Sequence, residues 1–199
     1  ELYKEPEKMF LCETEYSPSR LELYKECPKK FYFRYVLGMP QEEKTYFSLG
    51  TAVHSAIEDI CKLLKEGTVV TEKSALEMLE KHWDSAEYES VAKDAEDKES
   101  AAAMIRTFLQ MQKDSKGTIR DLEKWVVLDL DGKHSVRGKV DRIDEISGGL
   151  RIIDYKTGKT VISKNKLNEN LQMALYTLAV GVNEGKSVLE CGHWYPHSG

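Results

Sequence analysis

Two acidic segments in the second half of the chain carry the residue types that metal-assisted chemistry needs. Asp141 lies in the run Gly-Lys-Val-Asp-Arg-Ile-Asp, and Asp154 follows two isoleucines and precedes Lys156 by two positions. Mg²⁺ prefers oxygen ligands and is commonly held by one or two carboxylates together with substrate phosphate oxygens. The two aspartates therefore predict a divalent-cation site, in which the Lys156 ammonium can orient or help deprotonate an attacking water.

The elements that must position these carboxylates read as a β-hairpin. Residues 136–144 alternate with the period of a strand, which puts Asp141 near a strand end. The Ser-Gly-Gly sequence at 147–149 predicts a turn, and residues 150–155 read as a second, largely buried strand. A carboxylate that closes an apolar strand is costly to bury unless a cation meets it. The pattern therefore favours a metal site over the alternative, a solvated hairpin.

The region before this hairpin reads as mainly helical. Ser17 is placed to cap a helix whose first turn holds Pro18. A second helix is expected to open at Gly50 and to carry His54 on its inward side, where a core histidine and a site residue fit the pattern equally well. Two more amphipathic helices are expected over residues 71–88 and 94–113. Acidic residues are concentrated over 84–99, and the stretch between the two helices is expected to be an exposed loop.

A second hairpin opens the αβ core. Strands over residues 122–130 and 133–144 are expected to join through a two-residue turn at Asp131–Gly132. Glu123 lies on the first of these strands, where a solvated position is favoured over a place in the site.

A helix over residues 167–182 and a closing strand over 187–195 complete the predicted core. The leucine spacing predicts an inward face formed by Leu171, Leu175 and Leu178. Gln172 and Tyr176 are spaced i, i+4 and share a helical face. A helix that follows the metal strand puts such a face beside a substrate.

The composition is that of an ordinary soluble protein, with 199 residues, 32% charged residues and a formal charge of −5. No apolar run is long enough to span a membrane, and no signal-peptide pattern opens the chain. Because the first residue is not methionine, we expect a fragment of a longer polypeptide. Four cysteines without a CxxC pair give no zinc signature and read as reduced thiols of a cytoplasmic protein.

The negative net charge by itself argues against nucleic-acid binding. The local distribution of charge matters more, because it decides where phosphate binds. Two basic groups could form one phosphate-facing surface. They are Lys29, Lys30 and Arg34, and Lys156, Lys159, Lys164 and Lys166. Merely solvated faces fit this pattern equally well.

The motifs together resemble one known family. They occur in the order Gly50-xxx-His54, Gly138-Lys-Val-Asp141-Arg-Ile-Asp, Ile153-Asp154-Tyr-Lys156-Thr-Gly and Gln172-xxx-Tyr176. This order resembles the RecB-type branch of the PD-(D/E)XK nuclease superfamily. The segment from Ser17 to Gly38 is similar to the N-terminal helix of the same branch, especially in nuclease domains fused to UvrD-type helicases.

The resemblance implies an α/β fold with a restriction-endonuclease-like mixed β-sheet core flanked by helices, and an N-terminal helical section. We expect a single nuclease domain over residues 1–199, mainly helical over 17–116 and with the catalytic core over 120–199.

The family's functional residues match positions of this chain one by one. The resemblance implies that Mg²⁺ or Mn²⁺ is bound by His54, Asp141, Asp154 and the backbone carbonyl of Tyr155. It also implies that Lys156 positions the nucleophilic water, and that the site and the DNA backbone are organised by Gln172 and Tyr176.

The implied activity is metal-assisted hydrolysis of DNA phosphodiesters, as an exonuclease rather than an endonuclease, on single-stranded or duplex ends. The expected partner is a helicase in recombination or repair, with no membrane involved. Some RecB-type nucleases bind a four-iron cluster through an early cysteine and three late ones. Only Cys191 lies late in this chain, so no cluster is expected here. The alternatives are a non-cleaving DNA-binding module of the same fold and an iron-sulfur exonuclease truncated before its cluster.

Overall fold

The computed structural model describes residues 14–39, 46–163, 166–167 and 169–197. Within these ranges it contains a five-stranded mixed sheet between two layers of helices. The strands are β1 (Glu15–Tyr16), β2 (Thr118–Asp129), β3 (Ser135–Ile146), β4 (Gly149–Tyr155) and β5 (Val188–Trp194). This architecture confirms the mixed α/β core expected from the sequence.

Strand β3 organises the sheet. β2 pairs antiparallel with β3 along nearly its whole length. On the other edge, β1 pairs parallel with residues 135–136 and β4 pairs antiparallel with residues 142–146, and β5 then pairs parallel with β4. Within the described ranges, residues 137–141 have no partner strand on that edge, so Asp141 lies where the sheet opens.

The turn between β2 and β3 is longer than the expected two-residue turn. The Leu130 N–H donates to the His134 carbonyl at 2.9 Å, and the Asp131 carboxylate accepts a hydrogen bond from the His134 N–H at 2.6 Å. An aspartate that bonds the backbone following it stabilises such a turn. The prediction of a turn at Asp131–Gly132 alone is therefore wrong, and the residues paired across the hairpin shift by one.

The N-terminal helical section begins as predicted. Ser17 Oγ accepts a hydrogen bond from the Arg20 N–H at 3.3 Å and caps α1 (Pro18–Glu26). The chain then breaks before α2 (Pro28–Phe31), which continues into a π-helical turn (Tyr32–Val36). Proline is tolerated at the first position of a helix but not in its interior, which explains the break.

Helix α3 (Tyr46–Lys65) begins before the expected start at Gly50. Glycine inside a helix costs about 1 kcal/mol relative to alanine. A Cβ at Gly50, however, would lie 3.2 Å from the Thr157 hydroxyl oxygen. Gly50 therefore lets α3 approach the loop that follows β4, and it marks a close packing contact rather than a helix start.

Two further helices pack with α3. Helix α4 (Glu72–His82) ends earlier than expected, and α5 (Val91–Asp114) begins earlier, inside the stretch expected to be an acidic loop. Ser90 caps α5, and Lys93 Nζ lies 2.7 Å from the carboxylate of the buried Asp97. Because i, i+4 ion pairs stabilise helices, this acidic segment can be helical. The loop prediction is therefore wrong after residue 90.

Helix α6 (Leu171–Glu184) covers the other face of the sheet and is capped by Asn170. Its buried face is formed by Met173, Tyr176, Ala179 and Val180. The predicted inward leucines are wrong, because Leu178 is 57% exposed and Leu171 and Leu175 are only partly buried. The prediction placed the leucines in the core because they are hydrophobic. In the structure, the face of α6 that packs on the sheet is the one that carries Tyr176.

Apolar residues form one cluster on each face of the sheet. Helices α3 to α5 form the first cluster with Ile153 and Tyr155, and α6 forms the second with Val140, Ile143 and Ile152. β3 and β4 are thus covered on both faces close to their carboxylates. None of the helices in the described ranges is long and apolar enough to cross a membrane.

Candidate active site

Two buried carboxylates meet beside the opening of the sheet. Asp141 lies at the end of the stretch of β3 that, within the described ranges, lacks a partner strand on one edge, and its Oδ2 accepts a hydrogen bond from the Tyr155 backbone N–H at 2.9 Å. Asp154 directly precedes Tyr155 near the end of β4. Burial, and then the neighbouring Asp154 carboxylate, raise the pKa of Asp141 to about 7. This coupling indicates that the fold brings the two aspartates together, as the sequence predicted.

The raised pKa of Asp141 predicts a pH-dependent stability of the metal-free protein. The folded chain binds this proton up to about pH 7, whereas the ordinary pKa is 3.8, so ionisation costs stability and the cost grows as pH rises between these values. We expect the stability of Asp141→Asn relative to wild type to increase as pH rises from about 4 to about 7 and to stay constant above that, measured by calorimetry in EDTA.

The exposed carboxylate of Glu145, on the same strand, provides the control for this prediction. The variant Glu145→Gln should show no such gain over that pH range. A difference between Asp141→Asn and wild type that does not change with pH would contradict the prediction.

Lys156 connects the carboxylates to α6. Its Nζ lies 2.6 Å from Asp154 Oδ2 and donates to Gln172 Oε1 at 3.5 Å, and Gln172 Nε2 donates to the Tyr176 hydroxyl at 3.2 Å. Burial lowers the pKa of Lys156, but Asp154 and Asp141 outweigh burial, and the pKa is raised. A protonated ammonium can orient a water but cannot take its proton. The raised pKa of Lys156 therefore favours the orienting role over the deprotonating one.

Tyr176 reaches this group because its ring lies directly on β3. A Cβ at Gly138 would lie 2.5 Å from Tyr176 Cε1, so the position leaves no room for a side chain. Burial raises the pKa of Tyr176, which keeps its hydroxyl protonated. The structure thus brings Gln172 and Tyr176 together with Lys156.

His54 joins the site from α3. Its Nδ1 lies 3.7 Å from Asp141 Oδ2, and its ring packs edge-on against Tyr155 with the ring centroids 6.2 Å apart. Burial lowers the pKa of His54 despite the opposing effect of Asp154, so the imidazole is neutral at physiological pH. Neutral imidazole is a common metal ligand. The structure places His54 beside Asp141, where the resemblance implied a ligand.

The donor set fits a divalent cation. Within the described ranges, the buried Asp154 Oδ2 accepts no hydrogen bond, because the Lys156 ammonium approaches it outside hydrogen-bond geometry. In the same part of the chain, no group of three His, Cys, Asp or Glu side chains is arranged to hold a metal ion without further ligands. Asp141, Asp154 and His54 would therefore share the cation with the Tyr155 carbonyl, water and a phosphate oxygen, as is usual at open Mg²⁺ sites.

A carboxylate that was expected to be solvated lines a cavity beside Asp141. This cavity has a volume of about 540 Å³ and lies between α3, β2, β3 and the loop after β4. Glu123 is 23% exposed there and pairs with Lys139, so its predicted solvated position is wrong. Glu123 lies opposite Asp141 in the hairpin, and its backbone φ is +49°. Such a backbone conformation is uncommon outside glycine and is often found at functional sites.

His193 is a second residue that the sequence did not assign to the site. The parallel pairing of β4 with β5 places it opposite Asp154, with Nε2 3.8 Å from Asp154 Oδ2 and Nδ1 3.1 Å from the Tyr195 hydroxyl. Its side chain is only 4% exposed. The strand register is the signal that reveals it, and local sequence patterns do not give that register.

Arg142 and Asp144 follow Asp141 but form a buried ion pair outside the carboxylate site. Arg142 Nε and Nη2 donate to the two Asp144 oxygens at 2.5 and 2.9 Å, and Nη1 donates to the Tyr155 hydroxyl at 3.4 Å. Both side chains of the pair are 0% exposed. The pair therefore ties β3 to the residue whose backbone N–H holds Asp141.

Two predictions about basic residues and cysteines stay predictions. Exposed basic side chains occur at Lys29, Lys30, Arg34, Lys159 and Lys166, whereas Lys164 lies outside the described residues. A single phosphate-facing surface formed by these groups is still an expectation. Cys12 also lies outside the described residues, and free thiols occur at Cys27, Cys61 and Cys191. The expected absence of an iron-sulfur cluster likewise stays a prediction.

Two carboxylates and a lysine beside the opening of a mixed sheet define a class of nuclease fold. Residues 15–197 match the sequence profile of the PD-(D/E)XK nuclease superfamily, and the chain belongs to this family. This match confirms the family assigned from the motifs.

Curated relatives include subunits of helicase-nucleases. One subunit of the ATP-dependent helicase/deoxyribonuclease of Carboxydothermus hydrogenoformans is 26% identical over 94% of this chain and 21% of its own length. The protein of the same name from Streptococcus agalactiae serotype Ia is 26% identical over 86% of this chain and 17% of its own. The Gene 69 protein of Mycobacterium phage D29 is 32% identical over 37% of this chain and 25% of its own. The chain thus spans about a fifth of the length of these helicase/deoxyribonuclease relatives.

Proposed function

We propose that this chain is a Mg²⁺- or Mn²⁺-dependent deoxyribonuclease module that hydrolyses DNA phosphodiester bonds, as an exonuclease rather than an endonuclease. The observation that carries this proposal is the convergence of Asp141, Asp154 and Lys156 beside the opening of the sheet. We also infer a cytoplasmic helicase-nuclease as its setting, in recombination or repair, because the helicase/deoxyribonuclease relatives are named for both activities.

A divalent cation bound by His54, Asp141, Asp154 and the Tyr155 carbonyl would polarise the phosphoryl oxygen and lower the pKa of a water. The side chains around it hold the reactants in place. Lys156 donates a hydrogen bond to the attacking water and is itself held by Gln172. The water releases a proton to solvent as its oxygen forms a bond to phosphorus, and the bond to the leaving sugar oxygen breaks, after which that oxygen takes up a proton from solvent.

Two further side chains extend this site. Glu123 faces the cavity opposite Asp141 and can hold a second water or share the cation, and Lys139 beside it can contact a phosphate. His193 lies behind Asp154 and can limit rotation of that carboxylate. Outer groups of this kind commonly set metal affinity, because they orient the ligands.

The test of this function measures cleavage of end-labelled DNA. The purified chain is incubated with linear single-stranded, linear duplex and closed circular single-stranded DNA in Mg²⁺, Mn²⁺ or EDTA. We expect degradation of linear DNA with either metal, none in EDTA, and little degradation of circles because they have no ends.

A pair of lysine variants provides the matched comparison. Lys156→Met should lower the rate of cleavage by about 10²-fold or more, because the water loses its orienting group. Lys73→Met removes the same charge from an exposed position on α4 and should cleave like wild type. Cleavage in EDTA, or equal rates for the two variants, would contradict the proposal.

A further inference from the structure

A second hollow lies on the sheet beside the site cavity, and an exposed tryptophan forms part of its wall. Trp125 on β2 is 57% exposed, and the Arg137 guanidinium on β3 lies 4.5 Å from its ring centroid. The hollow has a volume of about 390 Å³ and is lined by Glu15, Tyr16, Ser17, Arg20, Trp125 and Arg137. The next residue along β2, Val126, packs in the hydrophobic core, whereas Trp125 points away from that core.

Lys139 lies in the site cavity and next to the tryptophan of the hollow. This lysine lines the cavity together with Asp141 and is also the cross-strand partner of Trp125. Trp125 lies two positions from Glu123, a distance of about 7 Å along a strand. Two stacked nucleotides rise by the same length, at about 3.4 Å each. A nucleic-acid strand with a phosphate at Asp141 can therefore place its neighbouring bases at Trp125.

The charges around the tryptophan suit a phosphate backbone. Arg20, Arg137 and Lys139 supply positive charge, and Glu15 and Glu123 oppose it. Glu15 lies 3.8 Å from Arg137, with about half of each side chain exposed. Exposed pairs of this kind contribute little to stability, so a phosphate can replace Glu15 at low cost.

We propose that Trp125, with Arg137 stacked on its ring, is a binding site for unpaired DNA bases next to the phosphodiester to be cut. This inference rests on the proposed function and adds the form of DNA that the site takes. Aromatic rings stack on any base, and a guanidinium can add a cation–π contribution. Bases in a duplex already stack on one another, so the site favours single-stranded DNA.

The test measures binding without cleavage. Asp154→Asn protein in EDTA is titrated with labelled oligo(dT), and binding is followed by fluorescence anisotropy. Adding Trp125→Ala should weaken binding by about tenfold or more, whereas Trp125→Phe should retain most of it because an aromatic face remains. Val127 is exposed on the same face of β2, and Val127→Ala is the matched control that should leave the affinity unchanged.

An abasic oligonucleotide of the same length separates base stacking from phosphate binding. The parent protein should bind it about as weakly as the Trp125→Ala protein binds oligo(dT), and the Trp125→Ala protein should not distinguish the two ligands. Intrinsic fluorescence gives a measurement that does not depend on the alanine variant folding. Oligo(dT) should quench the parent more strongly than it quenches the Trp125→Phe protein.

Two results would overturn this base-stacking site. They are equal affinity of the parent and the Trp125→Ala protein for oligo(dT), and equal quenching of the parent and the Trp125→Phe protein. If wild type cleaves DNA while Trp125→Ala binds normally, only the base-stacking site is refuted. If Trp125-dependent binding occurs in a wild-type chain that never cleaves DNA with metal, only the nuclease function is refuted.

Discussion

Asp154→Asn is expected to reduce DNA cleavage by about 10³-fold or more while the protein stays folded. The substitution keeps the shape of the side chain but removes the negative charge of a buried carboxylate, whose Oδ2 accepts no hydrogen bond within the described residues. A metal ligand of this kind supplies several kcal/mol of transition-state stabilisation, and each 1.4 kcal/mol is about tenfold in rate. The measurement is single-turnover cleavage of end-labelled DNA in Mg²⁺.

The matched control for this variant is Glu145→Gln, which removes one charge from an exposed position on β3 and should cleave like wild type. Calorimetric titration with Mn²⁺ should show at least about tenfold weaker binding for Asp154→Asn and unchanged binding for the control. Cleavage by Asp154→Asn within a few-fold of wild type would refute the assignment of Asp154 as a metal ligand.

Arg142→Met is expected to lower the free energy of unfolding by about 3–5 kcal/mol, because it breaks a buried ion pair from one side. Asp144 is 0% exposed, and after the substitution Arg151, with its Nη2 2.6 Å away, is the remaining cation in contact with it among the described residues. Tyr155 also loses the guanidinium that contacts its hydroxyl. Urea denaturation followed by circular dichroism measures the change.

Two comparison variants show whether the buried charge is the cause. Arg106→Met removes an exposed arginine and should change stability by less than about 0.5 kcal/mol. Arg142→Met combined with Asp144→Leu removes both charges and should recover part of the loss, since apolar replacements of buried pairs are often tolerated. A loss below about 1 kcal/mol for Arg142→Met alone would contradict this account.

The carboxylates of the site could be predicted because each lies in a short local pattern. Asp154 lies next to the end of the apolar strand β4, and Lys156 follows at a fixed spacing. Hydrophobic alternation identifies the strand that carries Asp141, but the expected strand end there is wrong, because Asp141 lies in the middle of β3. The helical phase of His54 left two interpretations open, and only the resemblance to a family favoured a ligand. The structure adds the contact between His54 and Asp141, which the helical periodicity alone could not predict.

Glu123 was missed because turn length sets the register of a hairpin. A two-residue turn at Asp131–Gly132 would pair Glu123 with Val140, on the face of the sheet away from Asp141. The observed turn places Glu123 opposite Asp141 instead. One residue in a turn therefore moves a carboxylate from one face of the sheet to the other.

His193 could not be predicted for a different reason. Its place beside Asp154 depends on the parallel pairing of β4 with β5, two strands separated in sequence by a helix. No local periodicity encodes that register. The prediction of the inward face of α6 was wrong for a similar reason. The buried face is the one on which Tyr176 contacts Gly138, and the leucine spacing does not reveal that contact.

Gly138 acts as the spacer between the sheet and α6. Because the Tyr176 ring rests against its Cα, the thickness of this one residue sets how closely that part of α6 approaches β3. Gln172 lies one helical turn before Tyr176 and holds Lys156, so the reach of the ammonium toward the carboxylates depends on backbone contact. The alignment of the charged groups is therefore controlled from a position that carries no functional group.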